Sequence, residues 1–171
     1  NREEDQHIVV YDLGGGTFDL SVIELNASVI EVRSTHGNNL LGGDDFDAKI
    51  VDFIVDRFKL EHRIDLRADR RALARVTRAA EQAKIELSSR PFARISEEFI
   101  AARDGQPLHL DLELSRQELE RMIQDYLDST LRSIDIALRD AGLREREIHQ
   151  LLLVGGSTRI PVIFHRIEEK F

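Results

Sequence analysis

No cysteine occurs among the 171 residues, which excludes disulfides, a thiolate zinc site and a cysteine nucleophile. That absence fits a reducing compartment, so a cytoplasmic location is expected. No apolar run is long enough to cross a bilayer and no secretory leader is present, so no membrane partner is expected. Positive charge is in deficit. A net charge of −8 argues against general binding to nucleic acid or to anionic membranes. The six histidines (His7, His36, His62, His109, His149 and His165) lack zinc-ligand spacing. No Gly-x-Ser-x-Gly elbow is present, so a hydrolase triad finds no support. The chain begins at Asn1 without a methionine and stops at Phe171 inside a helical pattern, and it is expected to be an excerpt of a longer protein.

What is present centres on Ile8 to Asp19, Ile-Val-Val-Tyr-Asp-Leu-Gly-Gly-Gly-Thr-Phe-Asp. A β-rich run ends on Asp12 and Leu13, three glycines follow, and a second β-rich run starts at Thr17. Glycine tolerates positive φ and has no Cβ, so Gly14, Gly15 and Gly16 are suited to turn tightly and present bare N–H groups. Successive N–H groups around one concavity make an anion nest, and phosphate is its usual guest. On the outgoing strand Thr17, Asp19 and Ser21 share a face, because strand side chains alternate. Two carboxylates and a hydroxyl beside a glycine turn suit Mg2+-phosphate, since Mg2+ takes few protein oxygens and keeps several waters. The turn is not a P-loop: it joins strand to strand, and no Gly-Lys-Ser/Thr opens a helix. A plain glycine hairpin with incidental acids is the alternative.

The length suffices for one domain with a core, or one domain carrying a small insert. Asn1 to Gln6 reads as a frayed lead-in. His7 to Leu13, Thr17 to Leu25 and Val29 to Thr35 read as three strands of an antiparallel meander, with a turn at Asn26-Ala27-Ser28. The first is apolar enough to be buried on both faces. A polar glycine loop from His36 leads into a helix on which Phe46, Ile50, Phe53, Ile54, Arg57 and Phe58 recur at helical spacing. Asp44, Asp45 and Asp47 fall in its first turn and suit the helix dipole better than a metal. Glu61 to Asp65 reads as a connector, and Asp69 to Ser89 as a second helix with Glu81, Lys84 and Ser88 along one polar edge. Arg63, Arg67, Arg70, Arg71, Arg75 and Arg78 make its entry basic, read as a solvated surface since acids intervene.

Leu108, Leu110, Leu112 and Leu114 alternate with His109, Asp111 and Glu113, the pattern of a half-buried strand. Asp104-Gly105 turns it back onto the run Phe99 to Arg103. Ser115-Arg116-Gln117-Glu118 is a capping box, and Gly142 closes the helix it opens. Ile148 to Val154 is an apolar strand, Gly155 to Arg159 a glycine turn, and Ile160 to Phe171 a helix with Pro161 in its first turn. The sequence therefore predicts an α/β fold. Should the last strand lie parallel beside the first, both glycine turns open onto one crevice, sized for phosphates at Gly14–Thr17 and a nucleoside near Gly155–Arg159.

Four motifs carry a family resemblance. Asp12 to Asp19 resembles the second phosphate motif of the seventy-kilodalton heat-shock chaperones, and Gly42-Gly43-Asp44-Asp45-Phe46-Asp47 resembles their Gly-Gly-Glu-Asp-Phe-Asp loop. Glu81 to Ser89 is similar to the adenosine-contacting helix, and Val154 to Pro161 to the adenosine motif. The bacterial DnaK type is closest, because Ile85 stands where eukaryotic cytosolic members usually carry Arg. The resemblance implies a ribonuclease-H-like, actin-like ATPase core with a mixed sheet. The core would span 1–60 and 115–171, and an inserted α+β subdomain 61–114, together the second lobe of the ATPase domain.

Carried over by position, Gly14, Gly15, Gly16 and Thr17 bind the β- and γ-phosphates of ATP or ADP. Asp12 holds Mg2+ through water. Asp19 organises ions and water near the γ-phosphate, with K+ as a further ion. Thr17 joins Asp12 and Asp19 as a catalytic candidate. Gly43, Glu81, Lys84, Ser88, Gly155, Gly156, Ser157 and Arg159 frame adenosine and the adjoining phosphates. The implied partners are a GrpE-like nucleotide exchange factor and, through the parent protein, a J-domain co-chaperone and unfolded client peptides. The family's first phosphate loop and catalytic lysine belong to the first lobe, so this chain alone is expected to be inactive. Asp44 replaces the usual Glu and Leu40 a common His, and Arg94 to Ala102 matches the family poorly. A catalytically silent module that binds an exchange factor, and an actin-like filament protein, are the alternatives.

Overall fold

The computed structural model describes residues 5–27 and 29–171. Residues 1–4 of the expected lead-in Asn1 to Gln6, and the turn residue Ser28, lie outside the described residues, while Gln6 already belongs to the first strand. The chain divides into two units, 1–44 with 124–171, and 45–123. No helix among the described residues is long and apolar enough to cross a membrane.

The first unit is built on a four-stranded sheet. Strands β1 (Gln6–Leu13), β2 (Phe18–Asn26) and β3 (Val29–Asn38) form the expected antiparallel meander. β6 (Gln150–Val154) lies parallel to β1, giving the order β3-β2-β1-β6 and a mixed sheet. Short links permit only antiparallel neighbours, whereas β6 returns after a long excursion and is free to run parallel. β3 runs three residues beyond the expected end at Thr35. His36-Gly37-Asn38 looks like loop, but Gly37 has no Cβ, and one added there would lie 2.6 Å from the Phe18 carbonyl oxygen. The bare backbone thus lets the strand keep pairing as far as Phe18.

Burial on both faces of β1 is not what the structure has. Val9, Tyr11 and Leu13 are fully buried while Ile8 and Val10 are half-buried, and Leu152 beside Val10 is 42% exposed. The buried face is covered by α3 (Arg116–Ala141), to which Tyr11 is tied: its hydroxyl donates to Thr130 Oγ1 at 2.8 Å. Thr130 in turn donates to the Leu127 carbonyl, so neither buried hydroxyl is left unpaired. Burial pushes the Tyr11 phenol up to about 12, against the opposing pull of the Thr130 bond. Gly142, at φ +71, closes α3 as expected, with Leu143 N–H reaching the Leu138 carbonyl. Helix α4 (Pro161–Lys170) opens on proline and is held to α3 through Arg166 with Asp128.

The second unit holds most of α1 (Gly43–His62), α2 (Arg70–Leu87), the hairpin β4 (Phe92–Arg103) with β5 (Gln106–Ser115), and the start of α3. Phe46, Ile50, Ile54 and Phe58 bury one stripe of α1, as their spacing predicts. The helix runs to His62 where a connector was expected, because nothing in Leu60-Glu61-His62 breaks it. Arg63 at φ +57 then takes the left-handed C′ position usually given to glycine. Asp69 caps α2 through the N–H groups of Arg71 and Ala72. β4 begins at Phe92 rather than Phe99. Pairing breaks between Glu97 and Ala101 at an irregularity where Phe99 takes φ +53, and this hides the period from the sequence. The capping box is formed: Ser115 N–H donates to Glu118 Oε2 at 2.8 Å, and Glu118 N–H to Ser115 Oγ at 3.1 Å.

Candidate functional site

β1 and β2 pair so that Leu13 faces Phe18 and Asp12 faces Asp19, leaving residues 14–17 as the turn. The turn is closed by Gly14 N–H donating to the Thr17 carbonyl at 3.1 Å. The start of α1 docks on its back. Gly43 N–H donates to the Gly14 carbonyl at 2.8 Å and Asp44 N–H to the Gly15 carbonyl at 2.7 Å. Peptide groups are planar and trans, so an N–H points opposite to the carbonyl of the same group. With the Gly14 and Gly15 carbonyls turned toward α1, the Gly15 and Gly16 N–H groups point away from it. Gly42 makes this docking possible, since a Cβ there would lie 2.6 Å from the Gly15 carbonyl carbon and 2.7 Å from Gly16 N.

None of Gly14, Gly15 and Gly16 takes positive φ, so the turn does not draw on the left-handed conformations open to glycine. The N–H groups are aimed by the anchored carbonyls instead. Nor does the chain itself crowd these positions. A Cβ on Gly16 would meet nothing within 4 Å, and one on Gly14 only the Thr17 carbonyl at 3.9 Å.

Asp12, half-buried, and Asp19, exposed, stand directly opposite in the ladder and therefore on the same face. Opposed Cβ atoms in such a pair are about 5 Å apart, and like charges there repel. Thr17 Oγ1 donates to Asp19 Oδ2 at 3.3 Å, which satisfies only part of one carboxylate. Among the described residues no group of three or more His, Cys, Asp or Glu could enclose a metal. A Ca2+-type cage is therefore not built from the described residues. Two opposed carboxylates do fit Mg2+, which keeps most of its waters and shares its coordination with phosphate.

The second turn lies against the first. β6 registers Val154 with Asp12, so both strands end at one edge of the sheet. Gly155 takes φ +94, and a Cβ on it would lie 2.5 Å from the Leu13 carbonyl carbon and 3.0 Å from Asp12 Oδ1. Only glycine meets both demands. Ser157, buried, donates through Oγ to the Gly14 carbonyl at 3.3 Å, giving that oxygen a second donor 143 residues away in sequence. Thr158 closes the turn through Oγ1 on the Gly155 carbonyl at 2.6 Å, and a short 3-10 segment over Gly156–Arg159 leads into α4. Gly156 and Arg159 are exposed. The two glycine turns, Asp12, Asp19 and the Gly42-Gly43 doublet are thus brought together. One edge of the sheet carries outward N–H groups beside paired carboxylates, an arrangement suited to an anion accompanied by a divalent cation.

Glu81, Lys84 and Ser88 lie on α2, in the second unit. Lys84 is paired with Asp47 at 2.9 Å, and Ser88 caps the helix with Oγ donating to the Lys84 carbonyl at 3.4 Å. Asp47 is therefore engaged in an ion pair as well as sitting in the first turn of α1. Gly42 was missed as a site residue, although the glycine doublet before the helix was its signal. The family model described as Hsp70 protein matches residues 1–171.

Proposed function

The chain belongs to the Hsp70 family, and from that premise we propose that it is the second lobe of the ATPase domain of a DnaK-type chaperone. Family membership and the mixed sheet make its core an actin-like ATPase fold. We assign 1–60 and 115–171 to the core and 61–114 to the insert. The observation that carries the reading is the Asp12–Asp19 pair beside the outward N–H groups of Gly15 and Gly16.

In this reading Gly14 to Thr17 hold the β- and γ-phosphates, Asp12 holds Mg2+ through water, and Asp19 with Thr17 orders the surroundings of the γ-phosphate. Bound Mg2+ supplies charge neutralisation to the phosphates. Gly43, Gly155, Gly156, Ser157 and Arg159 support the nucleoside and adjoining phosphates. The roles of Glu81, Lys84 and Ser88 rest on the motif alone. An exchange factor, a J-domain co-chaperone and client peptides are partners of the parent protein in the same reading. Phosphoryl transfer depends on positioning rather than covalent work by the protein. Lacking the family's first phosphate loop and lysine, the 171-residue chain turns over ATP at background.

The test is titration of the chain with ADP, with and without Mg2+, followed by NMR. Binding is expected to strengthen with Mg2+ in the wild type and to lose that dependence in Asp12→Asn. ADP binding indifferent to Mg2+ in the wild type would refute the assignment.

A further inference from the structure

A cleft of about 730 Å3 lies within the second unit, bounded by the end of α1, the first turn of α3 and β5. Five consecutive β5 residues, His109 to Glu113, line it. Successive strand side chains point to opposite faces, so a lining that takes every residue in turn runs along the edge of the strand rather than over one face. β5 pairs only with β4 in a two-stranded sheet, so among the described residues no strand covers that edge. Every second residue there directs its N–H and carbonyl away from β4.

The walls are apolar at Phe58, Leu60 and Leu112, with Leu60 81% exposed. The charge is lopsided. Glu61, Asp111, Glu113 and Glu118 line the cleft against a single guanidinium, Arg57, which sits over the Phe53 ring. Asp111 is matched by Arg94 at 2.9 Å, and Glu118 serves the capping box. Glu113 has no ion pair among the described residues, and Glu61 has only His62 at 3.6 Å. Unused strand edge, apolar wall and surplus carboxylate together match one kind of ligand.

We propose that this cleft takes an extended cationic peptide segment as a third strand beside β5. The peptide backbone bonds to the open edge. Alternate side chains divide between the apolar wall and the carboxylates, the mode of recognition by strand addition. This site is independent of the nucleotide reading, since none of its lining residues is used by that reading.

The probe is the heptapeptide Lys-Val-Lys-Val-Lys-Val-Lys, titrated into the 171-residue chain and followed by amide NMR. Saturable shifts confined to residues 57–61 and 109–118 are expected. They weaken with added salt and are absent with the Glu-Val-Glu-Val-Glu-Val-Glu counterpart. Glu113→Lys, at an exposed position, is expected to weaken binding about tenfold. Methylating alternate backbone nitrogens of the peptide is expected to abolish binding while leaving its charge unchanged. No saturable binding, binding unaffected by Glu113→Lys, or equal binding by the N-methylated peptide would each overturn the proposal.

Discussion

Gly16→Ala is expected to leave the fold intact while weakening Mg·ADP. A Cβ at Gly16 meets nothing within 4 Å, and Gly16 is not among the glycines at positive φ. A glycine-to-alanine change at such a position raises stability by about 0.4–1 kcal/mol, because it narrows the unfolded ensemble. The ligand is affected in the opposite direction. The methyl group stands beside an N–H that faces away from α1, where a phosphate oxygen would approach to about 2.9 Å. Loss of one charge-assisted hydrogen bond costs about 1.5–3 kcal/mol, which is about a ten- to hundredfold fall in affinity. Urea denaturation measures the first quantity and titration with Mg·ADP the second. A loss of more than about 1 kcal/mol of stability would mean that the glycine serves the fold. Unchanged affinity would mean that the loop does not hold phosphate.

Gly155→Ala is expected to do the reverse of Gly16→Ala: strain at φ +94 and overlap with the Leu13 carbonyl should cost about 3 kcal/mol in urea denaturation. Tyr11 is neutral when folded up to a pKa of about 12, against about 10 unfolded, so its contribution is intact below pH 10 and is lost as pH rises through 12. The loss is about 2–3 kcal/mol, and Tyr11→Phe should flatten the alkaline limb of a stability-versus-pH curve. Glu118 is held below the ordinary carboxylate range, first by the Ser115 backbone N–H. Its contribution is present above the unfolded value and lost as pH falls through the depressed one. Glu118→Gln keeps an acceptor for the Ser115 N–H and loses only the charge, so it should cost a few tenths of a kcal/mol near neutrality, with the gap to wild type closing in acid.

Much of the molecule is legible from the chain alone, wherever the signal is local. Alternation in Leu108 to Leu114, the Ser115–Glu118 box, proline at 161 and glycine at 142 each constrain a few neighbouring dihedrals. The corresponding elements lie where the sequence places them. Local preference misleads where a distant partner overrides it. His36-Gly37-Asn38 reads as loop and becomes strand because β2 offers it a ladder. Phe92 to Glu98 hides its strand behind an irregularity, and Arg63 ends a helix without the glycine that usually announces it.

The candidate site divides in the same way. Residue types and order name the glycine turns and the acids at 12 and 19, because turn chemistry and strand period are short-range properties. Tertiary structure alone decides that Val154 registers with Asp12, that Ser157 reaches the Gly14 carbonyl, and that Gly43 and Asp44 draw the loop carbonyls back. Those contacts join parts of the chain far apart in sequence, and no local preference encodes them. The first two exist because parallel pairing of β6 with β1 brings two strand ends to one edge, and the third because Gly42 lets the backbone close on the loop; at Gly155 and Gly42 only bare backbone fits.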